Sequence, residues 1–240
     1  HLASRRQRQM CIRDSLYLII SAAVIIFWIY FSVIALILFI LMSVVHFGLC
    51  DWSYLDLKKY KWSVSLTHGL NIVFGIIFFH TNETFEIFTF LSNLSFNQFQ
   101  EYLYIVYICY FFLLIRYAYL AIKFTKLRWG ILEMSIILLV IFLTEPLVAF
   151  SIYFCFIHTF KHVKSILKDT SKYLSNNKFI TITTISFTIL TWVGGSLAII
   201  HLHKSFSFDE SFIKTLFIGL AALTLPHMTL VDIFYRRKFN

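Results

Sequence analysis

Apolar residues arrive along this chain in long blocks, not at every second or every third position. Leu16 to Leu49 is a 34-residue stretch without a single charged side chain. As one helix it would be roughly 50 Å long, too long for a single crossing of a ~30 Å hydrocarbon core. We therefore divide it near Ser32 into two short helices. Further apolar blocks predict a third helix over Trp62–Phe79, a fourth over Phe99–Ile122 and a fifth over Trp129–Leu143, closed by Thr144-Glu145-Pro146. A sixth runs over Leu147–Lys164, a seventh over Phe179–His201 with a weak point at Gly194-Gly195, and an eighth over Phe212–Tyr235. His80 to Gln98 is a polar, Asn-rich connection. No internal repeat and no soluble domain is visible. The pattern predicts an all-α, polytopic transmembrane helix bundle of about eight helices, with residues 16–240 forming a single domain.

Composition narrows the class. The chain is 59% hydrophobic and only 14% charged, where soluble domains carry about a quarter. The 28 phenylalanines suit lipid-facing helices and also a pocket for a large apolar ligand. Cys11, Cys50, Cys109 and Cys155 form no Cys-x-x-Cys pair and read as reduced thiols rather than a disulfide framework or zinc site.

The first fifteen residues are set apart from the fold. Arg5 to Ser15 reads as one translated frame of a sequencing adapter, so residues 1–15 are expected to be an artefact and the true N-terminus to be missing. Without Arg5, Arg6, Arg8 and Arg13, seventeen Lys and Arg remain, and fifteen of them fall in one set of alternating connections. Excess Lys and Arg mark the cytoplasmic side. The C-terminus is thus expected in the cytoplasm, and the chain in the plasma (inner) membrane. Topology accounts for the basic residues, so no nucleic-acid partner is implied.

Candidate chemistry lies in the histidines. His158 and His162 are four apart, one turn apart on one face of an α-helix. Such a pair can share a metal ion, or it can be two unrelated polar residues at the membrane surface. His46, His68 and His227 fall at similar predicted depth on the same side, and polar residues within a membrane usually face the bundle interior and mark function. An imidazole cluster suits iron, zinc or copper. His80, His201 and His203 fall at the opposite ends. Asp51 and Asp232 lie about one turn past His46 and His227. Each either orients an imidazole or is a solvated interfacial acid. A membrane di-iron desaturase or hydroxylase would need several more histidine boxes. A transporter would call for intramembrane carboxylates, and only Glu133 lies well inside a run.

Four stretches resemble the Brp/Blh family of bacterial and archaeal β-carotene 15,15′-dioxygenases: His46-Phe47-Gly48 followed by Asp51, His68-Gly69, Tyr153 to His162, and Phe217 to Met228. The resemblance covers essentially Leu16 to the C-terminus. It implies a Fe(2+) enzyme that uses dioxygen to cleave β-carotene at its centre into two retinals, the supply for a rhodopsin. By position it makes His46, His158 and His162 metal ligands. His68 and His227 lie within matched stretches but are not named as ligands by it; they are expected to shape the pocket or orient a ligand, as Asp51 and Asp232 do if they accept an imidazole N–H. Members of the family begin with a further helix whose Pro-His-Gly motif supplies a fourth histidine; it has no counterpart here.

Overall fold

The computed structural model describes the backbone of residues 2–51, 59–92, 100–170 and 177–235, with side chains described over most of 15–229. Its elements are α1 (Leu2–Tyr30), α2 (Ser32–Asp51), α3 (Lys61–Phe79), α4 (Thr81–Ser92), α5 (Gln100–Lys123), α6 (Lys126–Leu143), α7 (Pro146–Ile152), a π-helical turn (Tyr153–His158), α8 (Thr159–Thr170), α9 (Asn177–Leu202) and α10 (Phe208–Tyr235). No strand occurs among the described residues. Among the described residues six helices are long and apolar enough to cross a membrane: Ser32–Asp51, Lys61–Phe79, Tyr102–Lys123, Pro146–Lys164, Ile185–Leu202 and Phe208–Thr229. Ser15–Tyr30 is a shorter apolar helix, and α6 falls outside the set because Lys126, Arg128 and Glu133 interrupt it. The fold is that of a polytopic helical membrane protein.

The elements expected from sequence are present, with three differences. His80–Gln98 is not simply a connection, because Thr81–Ser92 is helical. Its Thr84, Ile87 and Leu91 are buried and its Asn82, Glu83 and Glu86 are exposed, the spacing of an amphipathic helix. The sixth apolar block is not one α-helix but α7, the π turn and α8 in succession. And α9 runs unbroken through Gly194 and Gly195. The backbone of residues 2–15, set apart above, is continuous with α1, while the side chains of 1–14 lie outside the described residues.

The chain divides into two compact units, one of residues 1–39, 90–93 and 182–240, the other of residues 40–89 and 94–181. In the first, α1 lies along α10. Pro226, buried inside α10, has no N–H for the carbonyl of Ala222 one turn earlier. Ser21 on α1 fills that gap with a 2.8 Å hydrogen bond to the Ala222 carbonyl, and Tyr17 bonds the carbonyl of Leu223. Side chains of a neighbouring helix thereby satisfy the backbone a membrane proline leaves open. At the start of α10, the Glu210 N–H donates to the Ser207 hydroxyl, the N-terminal half of a capping box.

In the second unit α3 is the central helix, contacting α5, α6 and α7. Asn71 ties three helices together: its Nδ2 donates to the Met134 carbonyl of α6, and its Oδ1 accepts from Tyr110 of α5 at 2.6 Å. His80 donates through Nε2 to the Ile141 carbonyl at 2.7 Å, capping the end of α6. Pro146 restarts the chain as the first residue of α7, behind an extended Glu145. The helices α2 and α3 approach closely at two glycines. A Cβ at Gly48 would stand 2.0 Å from the Ser65 carbonyl oxygen, and one at Gly69 would stand 1.8 Å from that of Val44. Each glycine thus admits the backbone of the other helix, the usual way membrane helices pack closely.

Gly48→Ala and Gly69→Ala should therefore each destabilise the protein by about 1–3 kcal/mol or more, read as a lowered thermal midpoint in detergent. Gly194→Ala is the control, since nothing lies within 4 Å of the added Cβ. A melt of Gly48→Ala matching that of Gly194→Ala would contradict this packing.

Candidate functional site

The second unit holds the candidate site. His46 lies on the last turns of α2, five residues before Asp51 at the helix end. That end of a helix carries the negative pole of its dipole and does not favour a carboxylate. Asp51 is nevertheless 2% exposed, and a buried charge needs partners. It has two, both from the π turn. His158 donates Nδ1–H to Oδ1 at 2.9 Å, and the Tyr153 hydroxyl donates to Oδ2. Tyr153 and His158 are themselves buried, at 3% and 5% exposure.

The π turn is what lets both residues reach one carboxylate. Positions five apart diverge by about 140° on an α-helix, at 100° per residue. At the roughly 4.4 residues per turn of a π-helix they diverge by about 50°. The turn closes with the Thr159 N–H bonded five residues back to the Phe154 carbonyl, which also accepts the Thr159 hydroxyl at 2.8 Å.

The imidazoles gather around this clamp. The rings of His46 and His158 are 5.0 Å apart, and His158 and His162 lie parallel at 5.9 Å. His46 Nδ1 faces Cys50 Sγ at 3.4 Å. Phe47 packs edge-on against both Tyr153 and His158, at 5.2 and 5.0 Å. Phe150, Phe154, His158 and His162 form a ladder of rings at four-residue spacing, successive centroids 5.7, 5.4 and 5.9 Å apart. Beside it, Lys161 pairs with Glu133 of α6 at 2.5 Å, so the acid inside the fifth apolar block has a cationic partner.

Of the residues expected from sequence, the structure brings together His46, His158, His162 and Asp51. Asp51 contacts the imidazole of His158 across helices, not that of His46 on its own helix. His68 is 1% exposed on α3, and its Nε2 bonds the hydroxyl of Tyr117 at 3.1 Å. That hydroxyl donates onward to the Leu127 carbonyl at 3.2 Å, so His68 Nε2 carries the proton. His227 is half-buried on α10, in the first unit, and the side chain of Asp232 lies outside the described residues. His201 and His203 are exposed. Among the described residues no three His, Cys, Asp or Glu side chains are grouped closely enough to hold a metal ion as they stand. Tyr153 opens the stretch Tyr153 to His162 named above but has no role assigned from sequence, since α-helical spacing points it away from His158.

A helical membrane fold with two buried imidazoles, His46 and His158, one of them held by a buried carboxylate, defines an integral membrane protein with a polar centre. The chain belongs to the β-carotene 15,15′-dioxygenase family, whose profile it matches over residues 2–235. It is similar to a β-carotene 15,15′-dioxygenase of the uncultured marine bacterium 66A03, 28% identical over 221 residues, covering 92% of this chain and 79% of that protein. No solved structure matches it.

Asp51→Ala would leave the Tyr153 hydroxyl and His158 Nδ1–H buried without an acceptor, at about 1–3 kcal/mol each. The expected result is a loss of about 2–6 kcal/mol, seen as a large fall in the detergent melting midpoint. A fall no larger than that of a surface substitution would show that the carboxylate does not hold these donors.

Proposed function

We propose that this chain cleaves β-carotene at its central 15,15′ double bond, using dioxygen and a ferrous ion held by His46, His158 and His162, to give two all-trans-retinals. The observation that carries this reading is three imidazoles side by side beside a buried carboxylate, in a membrane helix bundle of this family.

The residues fit such an ion in their chemistry. Neutral imidazoles suit iron. The 5.0 Å between the rings of His46 and His158 is close to the separation of two imidazoles sharing one ion at metal–nitrogen bonds of roughly 2 Å. His162 lies parallel to His158 and would have to rotate to share an ion with the other two. When bound, ferrous iron supplies open positions at which dioxygen is activated.

The chain's own residues supply the rest. Asp51 accepts His158 Nδ1–H, which leaves the lone pair on Nε2 for a ligand bond. Phe150 and Phe154 continue the stack of rings beyond His158 and supply apolar area beside the imidazoles for a polyene. β-Carotene has no polar handle, so burial of area against such side chains is the available grip. Its length, about that of the ~30 Å hydrocarbon core, suits a site inside a bilayer, where the apolar aldehyde products also partition. The Lys161–Glu133 pair neutralises the intramembrane acid that a transporter reading would need.

Expression in carotene-producing bacteria tests the proposal. The expected result is loss of orange colour with retinal as the product. Apocarotenals longer than retinal would overturn central cleavage. His46→Ala, His158→Ala and His162→Ala should each reduce retinal by at least about 100-fold, no less than the loss of an outer hydrogen-bond partner of a ligand costs, while His201→Ala and His203→Ala stay within about twofold. If His227→Ala removes iron as fully as His158→Ala, the ligand set is wrong. For orientation in the plasma membrane, reporter fusions at Asn176 and Asn240 should both report the cytoplasm, as the excess of basic residues requires. An external signal at either position would reverse the topology.

A further inference from the structure

The geometry points to Tyr153 as a positioning residue that acts on His158 through Asp51, with the π turn as the device that makes this possible. The inference rests on the ligand reading above, since it explains how one proposed ligand is held.

A carboxylate at the end of α2 has two oxygens and free rotation about its terminal bond. A single histidine would leave that rotation open. Here the second oxygen accepts the Tyr153 hydroxyl, so the carboxylate plane is fixed by two donors from one rigid turn. With Oδ1 fixed, His158 keeps Nδ1–H bound at 2.9 Å and its ring stays 5.0 Å from that of His46. Phe47 sits against both Tyr153 and His158, so the two donors share one packing partner as well as one acceptor. An ordinary α-helix through Tyr153–His158 would turn one of the two away. A π turn costs regular hydrogen bonding and is seldom kept without a use. Its use here is to bring an hydroxyl and an imidazole onto one carboxylate. The hydroxyl does not face the imidazole cluster as a ligand: it is spent on Asp51.

Tyr153→Phe tests this, because it removes the hydroxyl and keeps the ring that packs on Phe47. The first readout is metal-free. In 15N-histidine-labelled protein in bilayers, wild type should show a sharp, carboxylate-bonded Nδ1–H signal that disappears in His158→Asn, and this signal should broaden in Tyr153→Phe. The second readout is Fe(II) affinity measured by titration. Tyr153→Phe should weaken it roughly tenfold, as loss of an outer hydrogen-bond partner does. In an Asp51→Asn background the same substitution should add almost nothing, because its route to His158 is already cut. An unchanged Nδ1–H signal with Fe(II) affinity within twofold of wild type would overturn the inference, as would losses that simply add in the double variant. If wild type itself takes up no Fe(II), the ligand reading fails, while the Nδ1–H signal still decides whether Tyr153 governs His158.

Discussion

A buried carboxylate is the constraint around which the second unit is arranged. Asp51 sits at the unfavourable pole of α2 and almost out of reach of water. Its partners come from one short turn of another segment, and that turn abandons α-helical geometry to deliver them both. Once Asp51 is satisfied, His158 is fixed in rotation, Phe47 is wedged between the two donors, and His46 stands beside His158. The polar cluster is therefore a consequence of pairing a charge in an apolar surround, where an unpaired donor or acceptor costs far more than a made bond returns.

The approach of α2 to α3 sets where this can happen. Gly48 and Gly69 let the two backbones touch at Ser65 and Val44. With α3 tied to α5 and α6 through Asn71, α2 holds His46 and Asp51 in a defined position within this unit. The same glycines follow His46 and His68 in sequence at intervals of two and one. Each motif thus combines a polar residue with the small residue that brings the helices close. His68 is absorbed into a hydrogen-bond relay through Tyr117 to the Leu127 carbonyl.

Much of this was legible in the sequence because it depends on local signals. Block hydrophobicity gives the helices, Thr144-Glu145-Pro146 gives the break before α7, and His158/His162 give an imidazole pair at one-turn spacing. Asp51 was recognisable as an acid able to orient an imidazole, although its nearest histidine in sequence is His46 and the one it holds is His158. That exchange is tertiary: only the crossing of two segments selects the partner. The π turn left no local trace. Tyr153 lies in an ordinary apolar run, and at 100° per residue it faces away from His158, so its bond to Asp51 follows from the backbone departure alone. The helix at Thr81–Ser92 was masked by its Asn and Glu content, though Thr84, Ile87 and Leu91 carry its buried face.

The proposed chemistry requires that these imidazoles hold iron. X-ray absorption at the iron edge, on anaerobically Fe(II)-loaded protein, addresses it directly. The expected result is a light-atom shell with the multiple-scattering pattern of at least three imidazoles, losing one imidazole in His162→Ala and retaining its full pattern in His203→Ala. A shell of oxygen donors without imidazole scattering, or one unchanged by His162→Ala, would contradict it.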